Sequence, residues 1–342
     1  MYFKEDARIT DEGYLKTYNI FKVGDIAFEG NKSNDFSHGR FVENTIGDGI
    51  VSHVFVVFKP LHDTHNLRYW KYAINNESVM GRILARCTKK TTMMTNLVTK
   101  DFLNQSIPCP SAQEQDKIAS LLDTISKRIE LQKLYVESLK KYKRGAIQKL
   151  FSETDMEQWN LVKLKDVVKV FDGTHQTPNY KTTGVRFISV ENILDPLATQ
   201  KYISEDDYRK EFKVHPEYGD VLMTRIGDIG RTYYVNFDSD MAYYVSLALF
   251  KCSPKIEGRF LAAYISTNTF QKELWERTLH IAFPKKINTG EIGECSIRLP
   301  SRERQIAIAS YLDVIEKKIR LAEKKLDLIQ IIKTGLMQQL FI

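Results

Sequence analysis

Several short stretches carry residue types that could do chemistry at a surface, and all are polar, basic or glycine-bearing rather than nucleophilic. The densest is DGTHQTPNYK, which places Thr174, His175, Gln176, Asn179, Tyr180 and Lys181 in one loop with a Gly and a Pro. TRIGDIGR sets Arg225 and Arg231 on a Gly-bearing turn after an apolar run, and FPKKIN supplies Lys285 and Lys286. Earlier in the chain, GNKSNDFSHGR holds Lys32, Ser33, Asn34, His38 and Arg40, and RCTKKTTMMTN holds Arg86, Lys89, Lys90, Thr91 and Thr92. Such residues can hydrogen-bond base edges, Arg or Lys to guanine and Asn or Gln to adenine, while cations and hydroxyls hold phosphates. The same composition also describes ordinary solvated loops, so these clusters do not decide the function alone.

Catalysis would need other signatures. An adenine methyltransferase uses an Asn/Asp-Pro-Pro-aromatic turn, which TPNY at Thr177–Tyr180 only imitates. There is no G-x-x-x-x-G-K-[ST] phosphate loop and no dinucleotide-type G-x-G-x-x-G, so nothing here predicts an ATP or NAD site. His62 and His65 in HDTH have a metal-compatible spacing but no further ligands nearby, and read as a polar loop. Cys87, Cys109, Cys252 and Cys295 form no C-x-x-C pair and read as reduced thiols. The start, MYFKEDAR, has no apolar h-region and no run is long enough to span a bilayer, so the expected compartment is the cytoplasm, with no membrane partner.

Fifty Lys/Arg against 43 Asp/Glu give a net charge of +7. The excess is localised: residues 111–151 hold nine basic against five acidic residues and residues 301–342 eight against five, while the remainder balances at 33 each. Charge therefore points to the two segments and leaves the rest neutral on average. Their basic runs, such as Lys140–Arg144 and Lys317–Lys318, read as solvated faces or partner surface.

Those segments are also the elements that must position everything else. With 342 residues the chain suggests two domains, and it repeats itself without a gap at an offset of 190. Pro110/Pro300, Ser111/Ser301, Gln115/Gln305, Ile118/Ile308, Leu122/Leu312, Asp123/Asp313, Ile125/Ile315, Ile129/Ile319, Lys143/Lys333, Gly145/Gly335 and Phe151/Phe341 are identical pairs. Pro-Ser opens each copy, and Ser111-x-x-Glu114 is a capping box. Apolar residues then step by four and three through Ile118, Leu122, Ile125, Ile129, Val136 and Leu139, matched by Ile308, Leu312, Ile315, Ile319, Ala322, Leu326 and Ile329. This spacing predicts a coiled-coil seam on helices about 60 Å long, at 1.5 Å per residue. Gln132 breaks the seam in the first copy only, and Lys143/Lys333 interrupt both. Gly145 and Gly335 are kinks or close-packing points.

Fainter matches precede each helix. VGDIAF at Val23–Phe28 and YGDVLM at Tyr218–Met223 are Gly-Asp turns entering strands; SHVFVVFKP matches SLALFKCSP; NLVTKDF aligns with KINTGEI at the same offset of 190. The expected architecture is α+β: two mixed α/β domains, each followed by a long helix, the helices pairing as an antiparallel coiled coil. The boundaries are a first domain at 1–106, a central helix at 107–151, a second domain at 152–300 and a C-terminal helix at 301–342. The second domain opens near Trp159, whose counterpart would fall at −31, so the first domain is expected to lack its opening part. Its visible start, ARITDEGYL, aligns with KYISEDDYR in mid-domain.

PSAQEQDKIASLLD and PSRERQIAIASYLD opening long helices, W-x-x-x-K-L-x-D-V from Trp159, FISVENI and YGDVLMTRIGDIGR together resemble the specificity subunits of type I restriction-modification systems, across essentially the whole chain. The resemblance implies two target-recognition domains, each reading half of a split double-stranded DNA sequence. It implies helices that space the half-sites and carry modification (methyltransferase) subunits. Adenine methylation with S-adenosylmethionine and cleavage by an ATP- and Mg-dependent motor subunit would belong to those partners, leaving this chain non-catalytic. The residues alone also leave open a coiled-coil scaffold that binds protein, or an inactive remnant of such a subunit.

Overall fold

Two proline-serine pairs start the longest elements of the protein. Ser111 donates its backbone N–H to Glu114 Oε2 (3.0 Å) while its hydroxyl accepts from the Glu114 amide (3.4 Å), closing the predicted capping box. In the second copy the Ser301 hydroxyl accepts from the Arg304 amide (3.4 Å). Gln115 and Gln305 each fold back and donate to the carbonyl of the Pro before their helix, both at 3.0 Å. The helices then run unbroken through Ala112–Leu150 and Arg302–Leu340.

The computed structural model describes residues 12–62, 65–91 and 94–341, and they divide into two compact units, 1–136 with 322–342, and 137–321. Most of ARITDEGYL, together with Thr92, lies outside the described residues.

Unit 1 contains α1 (Glu12–Leu15), β1 (Asn19–Phe21), β2 (Ile26–Glu29), β3 (Arg40–Glu43), β4 (Gly49–Val51), β5 (Val56–Phe58), α2 (Leu67–Ala73), α3 (Glu77–Cys87), β6 (Thr88–Lys90), β7 (Thr95–Leu97), α4 (Thr99–Leu103) and the part of α5 (Ala112–Leu150) up to Val136. Its main sheet has the order β3-β2-β5, all antiparallel, beside the β1-β4 pair and the β6-β7 hairpin. Phe28, Phe41, Met80, Ile83, Leu84 and Cys87 form the core under α3, with Phe41 stacked on Phe102 at 4.6 Å. A second cluster joins Tyr69 and Ala73 of α2 to Ala119, Leu122 and Phe341. Asp123 latches this contact by accepting from Arg68 Nε (2.9 Å), Lys71 Nζ (2.6 Å) and Tyr72 OH (2.8 Å).

Unit 2 contains α6 (Glu153–Met156), β8 (Asn160–Lys163), β9 (Val168–Asp172), β10 (Val185–Ile188), β11 (Tyr202–Ile203), α7 (Glu205–Glu211), β12 (Val221–Thr224), β13 (Thr232–Tyr234), β14 (Met241–Tyr243), β15 (Leu247–Cys252), α8 (Gly258–Ile265), α9 (Asn268–Glu276), α10 (Thr289–Gly293), β16 (Ser296–Leu299) and α11 (Arg302–Leu340) up to Leu321. Its main sheet, β13-β12-β15-β9, repeats the order of unit 1 and adds β9. The second sheet, β11-β10-β14, pairs β10 with β14 in parallel. The core joins Val221, Met223, Phe250, Phe260 and Leu261 to Ile308, Leu312, Ile315 and Ile319 of α11.

The repeated sequence produces repeated geometry. Asp25 accepts from the Lys22 amide and Asp220 from the Glu217 amide, both at 2.8 Å, and Gly24 and Gly219 take φ values of +93° and +98°. Only glycine adopts that conformation without strain, so the Gly-Asp pair fixes the turn into β2 and β12. Thr99 and Thr289, 190 apart, each start a short helix. The seam is buried largely as predicted: Leu122, Val136, Ile308, Leu312, Ile315, Ile319, Ala322 and Ile329 are all buried. Gly145 and Gly335 are not close-packing points, since a Cβ on either would meet open space. The seam lysines are accommodated differently: Lys143 pairs with Glu316 (2.5 Å), and Lys333 lies over the Tyr72 ring (5.6 Å). No helix among the described residues is long and apolar enough to cross a membrane.

Candidate nucleic-acid interface

In unit 2 the polar loop 173–181 leaves the end of β9 and is held by its backbone at both ends. Thr174 N–H donates to Tyr243 O (3.2 Å), Val245 N–H to Thr174 O (3.0 Å) and Lys181 N–H to Tyr202 O (2.8 Å). Gly173 permits this approach, because a Cβ there would fall 2.1 Å from Tyr243 O. His175, Gln176, Asn179, Tyr180 and Lys181 are exposed between these anchors, and Thr174 is half-buried. The Tyr180 ring stands edge-on against Phe187 at 5.6 Å, with Lys201 Nζ over it at 5.7 Å.

Arg225 departs from the expectation that it reaches outward. It is only 7 % exposed, and its guanidinium donates to Val245 O (2.8 Å) and Ile287 O (3.1 Å) with Asp172 Oδ2 at 3.7 Å. Burial lowers its pKa, opposed by the Asp172 charge. A strand-end Arg with apolar sequence before it finds carbonyls more readily than solvent, because its five donors must be satisfied where they are buried. Arg225 is therefore a positioning residue that ties the end of β12 to two neighbouring loops. Asp172 completes the connection, since the same Oδ2 lies 2.9 Å from His175 Nε2. The sequence offered no signal for Asp172 beyond its place at the head of the polar loop.

The turn after Arg225 is built by Gly227 and Gly230, with φ of +83° and +92°. Thr224 Oγ1 accepts from the Arg231 amide (3.0 Å), and Arg231 Nε pairs with Asp228 (2.5 Å) while its side chain stays half exposed. This turn lies beside the hairpin carrying the two lysines: Gly227 N–H donates to Lys285 O (2.8 Å), and Ile226 bridges Lys286. Both lysines are exposed. The loop at 174–181, the turn at 225–231 and the Lys285–Lys286 hairpin, separate in sequence, are thus brought together at one end of the main sheet.

Unit 1 builds a related arrangement. Thr95 N–H and Oγ1 donate to Gly30 O (2.9 and 3.0 Å), and Oγ1 also reaches His38 O (2.9 Å), which clamps the loop 31–40 against the β6-β7 hairpin. Lys32, Asn34, Lys89 and Lys90 are exposed. Arg40 is engaged by Glu29 (2.7 Å) and lies over the Phe36 ring at 5.5 Å. His65 of the HDTH stretch pairs with the buried Glu43, Nε2 to Oε1 2.5 Å, and its ring stacks on Trp70. Burial pushes the Glu43 carboxyl up to about 8 and pulls His65 below its ordinary value. Among the described residues no group of three or more His, Cys, Asp or Glu could hold a metal.

Comparison with known proteins bears on the family and the fold. The profile of the family described as "Type I restriction modification DNA specificity domain" matches residues 5–141 and 156–330. The type I restriction enzyme MjaVIII specificity subunit of Methanocaldococcus jannaschii is 27 % identical over 276 residues, covering 73 % of this chain and 64 % of that protein. The chain therefore spans somewhat less than two thirds of that relative's length. Among solved structures, a chain from work on complex assembly and conformational transition of the type I R-M system matches with a TM-score of 0.62 at 16 % identity, covering 94 % of this chain and 83 % of that one. The type I S subunit from M. genitalium matches with a TM-score of 0.59 at 17 % identity, covering 95 % and 84 %. These structural likenesses establish a shared α+β fold, and the match of the domain profile over both halves shows that the chain belongs to the type I restriction modification DNA specificity domain family.

Proposed function

We propose that this chain is the DNA-recognition subunit of a type I restriction-modification complex. The observation that carries the reading is the convergence in unit 2 of His175, Gln176, Asn179, Tyr180, Lys181, Arg231, Lys285 and Lys286 on loops whose backbones are fixed by hydrogen bonds. Fixed amides and cations suit base-edge readout flanked by phosphate contacts. Residues 152–300 would read one half-site, and residues 1–106 the other weakly or not at all, any contact there falling to Lys32, Asn34, Lys89 and Lys90. Segments 107–151 and 301–342 would act as spacers.

In this reading the chain performs no chemistry itself. Modification subunits with S-adenosylmethionine and a restriction subunit with ATP and Mg would act where it directs them, in the cytoplasm. Exposed apolar residues at equivalent positions of the two long helices support a repeated docking surface for such partners: Leu121 and Tyr311, Leu131 and Leu321, Tyr142 and Ile332. Sequencing the methylome of the host with and without the chain tests the proposal. Loss of one bipartite adenine-methylation motif is expected; an unchanged methylome in cells that produce the assembled complex refutes it.

A further inference from the structure

Phe283 and Ile281 stand at the tip of the hairpin between α9 and α10, with exposures of 104 % and 99 %. Apolar side chains gain free energy on leaving water, so two neighbouring ones left wholly in solvent on a hairpin with an anchored base call for a partner. The base of the hairpin is held from several sides. Leu279 N–H donates to Lys286 O (2.8 Å), Ile287 N–H to Arg225 O (3.0 Å), and Lys285 Nζ lies over the Trp275 ring at 4.3 Å. His280 packs on the same ring at 4.2 Å. The residues that follow the tip are Lys285 and Lys286, and Asp228 in the adjoining turn is occupied by Arg231.

The other unit repeats the strand pairing at the base of this hairpin. Leu279 opposite Lys286 repeats, at the offset of 190, the pairing of Lys89 with Asn96 in the β6-β7 hairpin. The counterpart of Phe283 is Met93, which lies outside the described residues.

We propose that Phe283 is an apolar wedge that enters the DNA base stack at the edge of the half-site read by unit 2, with Lys285 and Lys286 on the flanking phosphates. Apolar side chains inserted at a base step partly unstack it and kink the duplex, a cost offset as the bent DNA contacts more protein surface. The surrounding cations select a polyanion over an apolar protein groove. The inference rests on the DNA-recognition reading and adds a mechanical part to it.

The test uses the full chain assembled with its modification subunits. Selection from a 30-bp duplex library with a randomised core first defines the preferred duplex, and 2-aminopurine is then placed at successive adenines of it. Apart from the adenine that a modification subunit extrudes for methylation, wild-type complex should raise the fluorescence at one further step at the edge of the unit 2 half-site, and Phe283→Ala should abolish that second rise and weaken binding roughly 10-fold, in the range for loss of one stacked aromatic. Phe283→Trp should retain both. The slope of log affinity against log salt should stay unchanged for Phe283→Ala and fall by about one for Lys285→Ala. A rise at that second step that persists in Phe283→Ala, or no rise in the wild type beyond the methylated adenine, overturns the wedge while leaving DNA recognition intact. Failure of the wild type to enrich any duplex overturns both.

Discussion

Gln132 donates its side-chain amide to the main-chain carbonyl of Ala322 at 2.9 Å, and the two positions are 190 residues apart. That separation is the offset of the internal repeat, so the antiparallel helices meet at corresponding positions of the two copies. A helix pair built from a duplicated sequence can place every seam residue against a suitable partner only if it crosses at equivalent points. Gln132, which breaks the apolar pattern, marks that crossing. A polar group in a seam fixes register because sliding the helices would bury it unpaired.

Removing the amide should cost about 1 kcal/mol, the net worth of one intramolecular hydrogen bond. Gln132→Ala is expected to lower the urea midpoint with little change in slope. A midpoint identical to wild type would show that the bond makes no net contribution.

The ends of the two helices should be costlier to disturb. Phe151 packs against Trp159, Phe260 and Tyr264 within unit 2, and Phe341 packs against Tyr69 within unit 1. Both are buried, and truncating a buried Phe costs about 3–5 kcal/mol. Phe341→Ala should therefore loosen α2 and α3, and Phe151→Ala should loosen α8. Hydrogen exchange read peptide by peptide checks this: loss of protection confined to the named unit is expected, and uniform loss across the chain would contradict it.

What could be read in advance and what could not divide along a physical line. Helix starts, the seam, the Gly-Asp turns at Gly24 and Gly219 and the strands at Val56 and Leu247 depend on neighbours within a few residues, and periodicity reports them. The burial of Arg225 is not legible in the sequence because its partners, Val245 and Ile287, lie 20 and 62 residues away. Composition records a cation and cannot record that carbonyls surround it. Phe283 is illegible for the opposite reason: an aromatic residue is expected in a core, and only the folded hairpin shows it outside.

Glu43 gives unit 1 a pH dependence. Its side chain is fully buried and one carboxylate oxygen has no hydrogen-bond partner, so ionisation is opposed and its pKa rises to about 8. A carboxyl with a raised folded pKa binds its proton more tightly folded than unfolded, so it contributes stability at low pH that is lost as pH rises toward 8. His65 is shifted down, which contributes in the opposite sense as pH falls below its ordinary value near 6.5. Between about 6.5 and 8 only Glu43 acts, and the melting temperature of unit 1 should fall across that window. Glu43→Gln, which stays neutral, should flatten the profile; an equally steep fall in that variant would assign the titration elsewhere.

Arg225 and Gln176 lie on the same face and should fail in different ways. Arg225→Ala leaves the carbonyls of Val245 and Ile287 without their donor and removes the cation nearest Asp172. Breaking a buried, hydrogen-bonded charge of this kind costs about 3 kcal/mol or more. Melting should drop, and DNA binding should be lost for all sequences together, because three loops lose their common anchor. Arg225→Lys should not restore it, since an ammonium on a single stem cannot serve two carbonyls and a carboxylate in the planar geometry of a guanidinium. Gln176 is exposed on the anchored loop, so Gln176→Ala should leave melting unchanged. Its cost should instead appear as about 1–3 kcal/mol of lost discrimination at one base position, read from competition between duplexes differing at that position. If Gln176→Ala weakened all duplexes equally, that side chain would be holding backbone rather than reading sequence. If Arg225→Ala melted like wild type, the buried guanidinium would not be the anchor of this face.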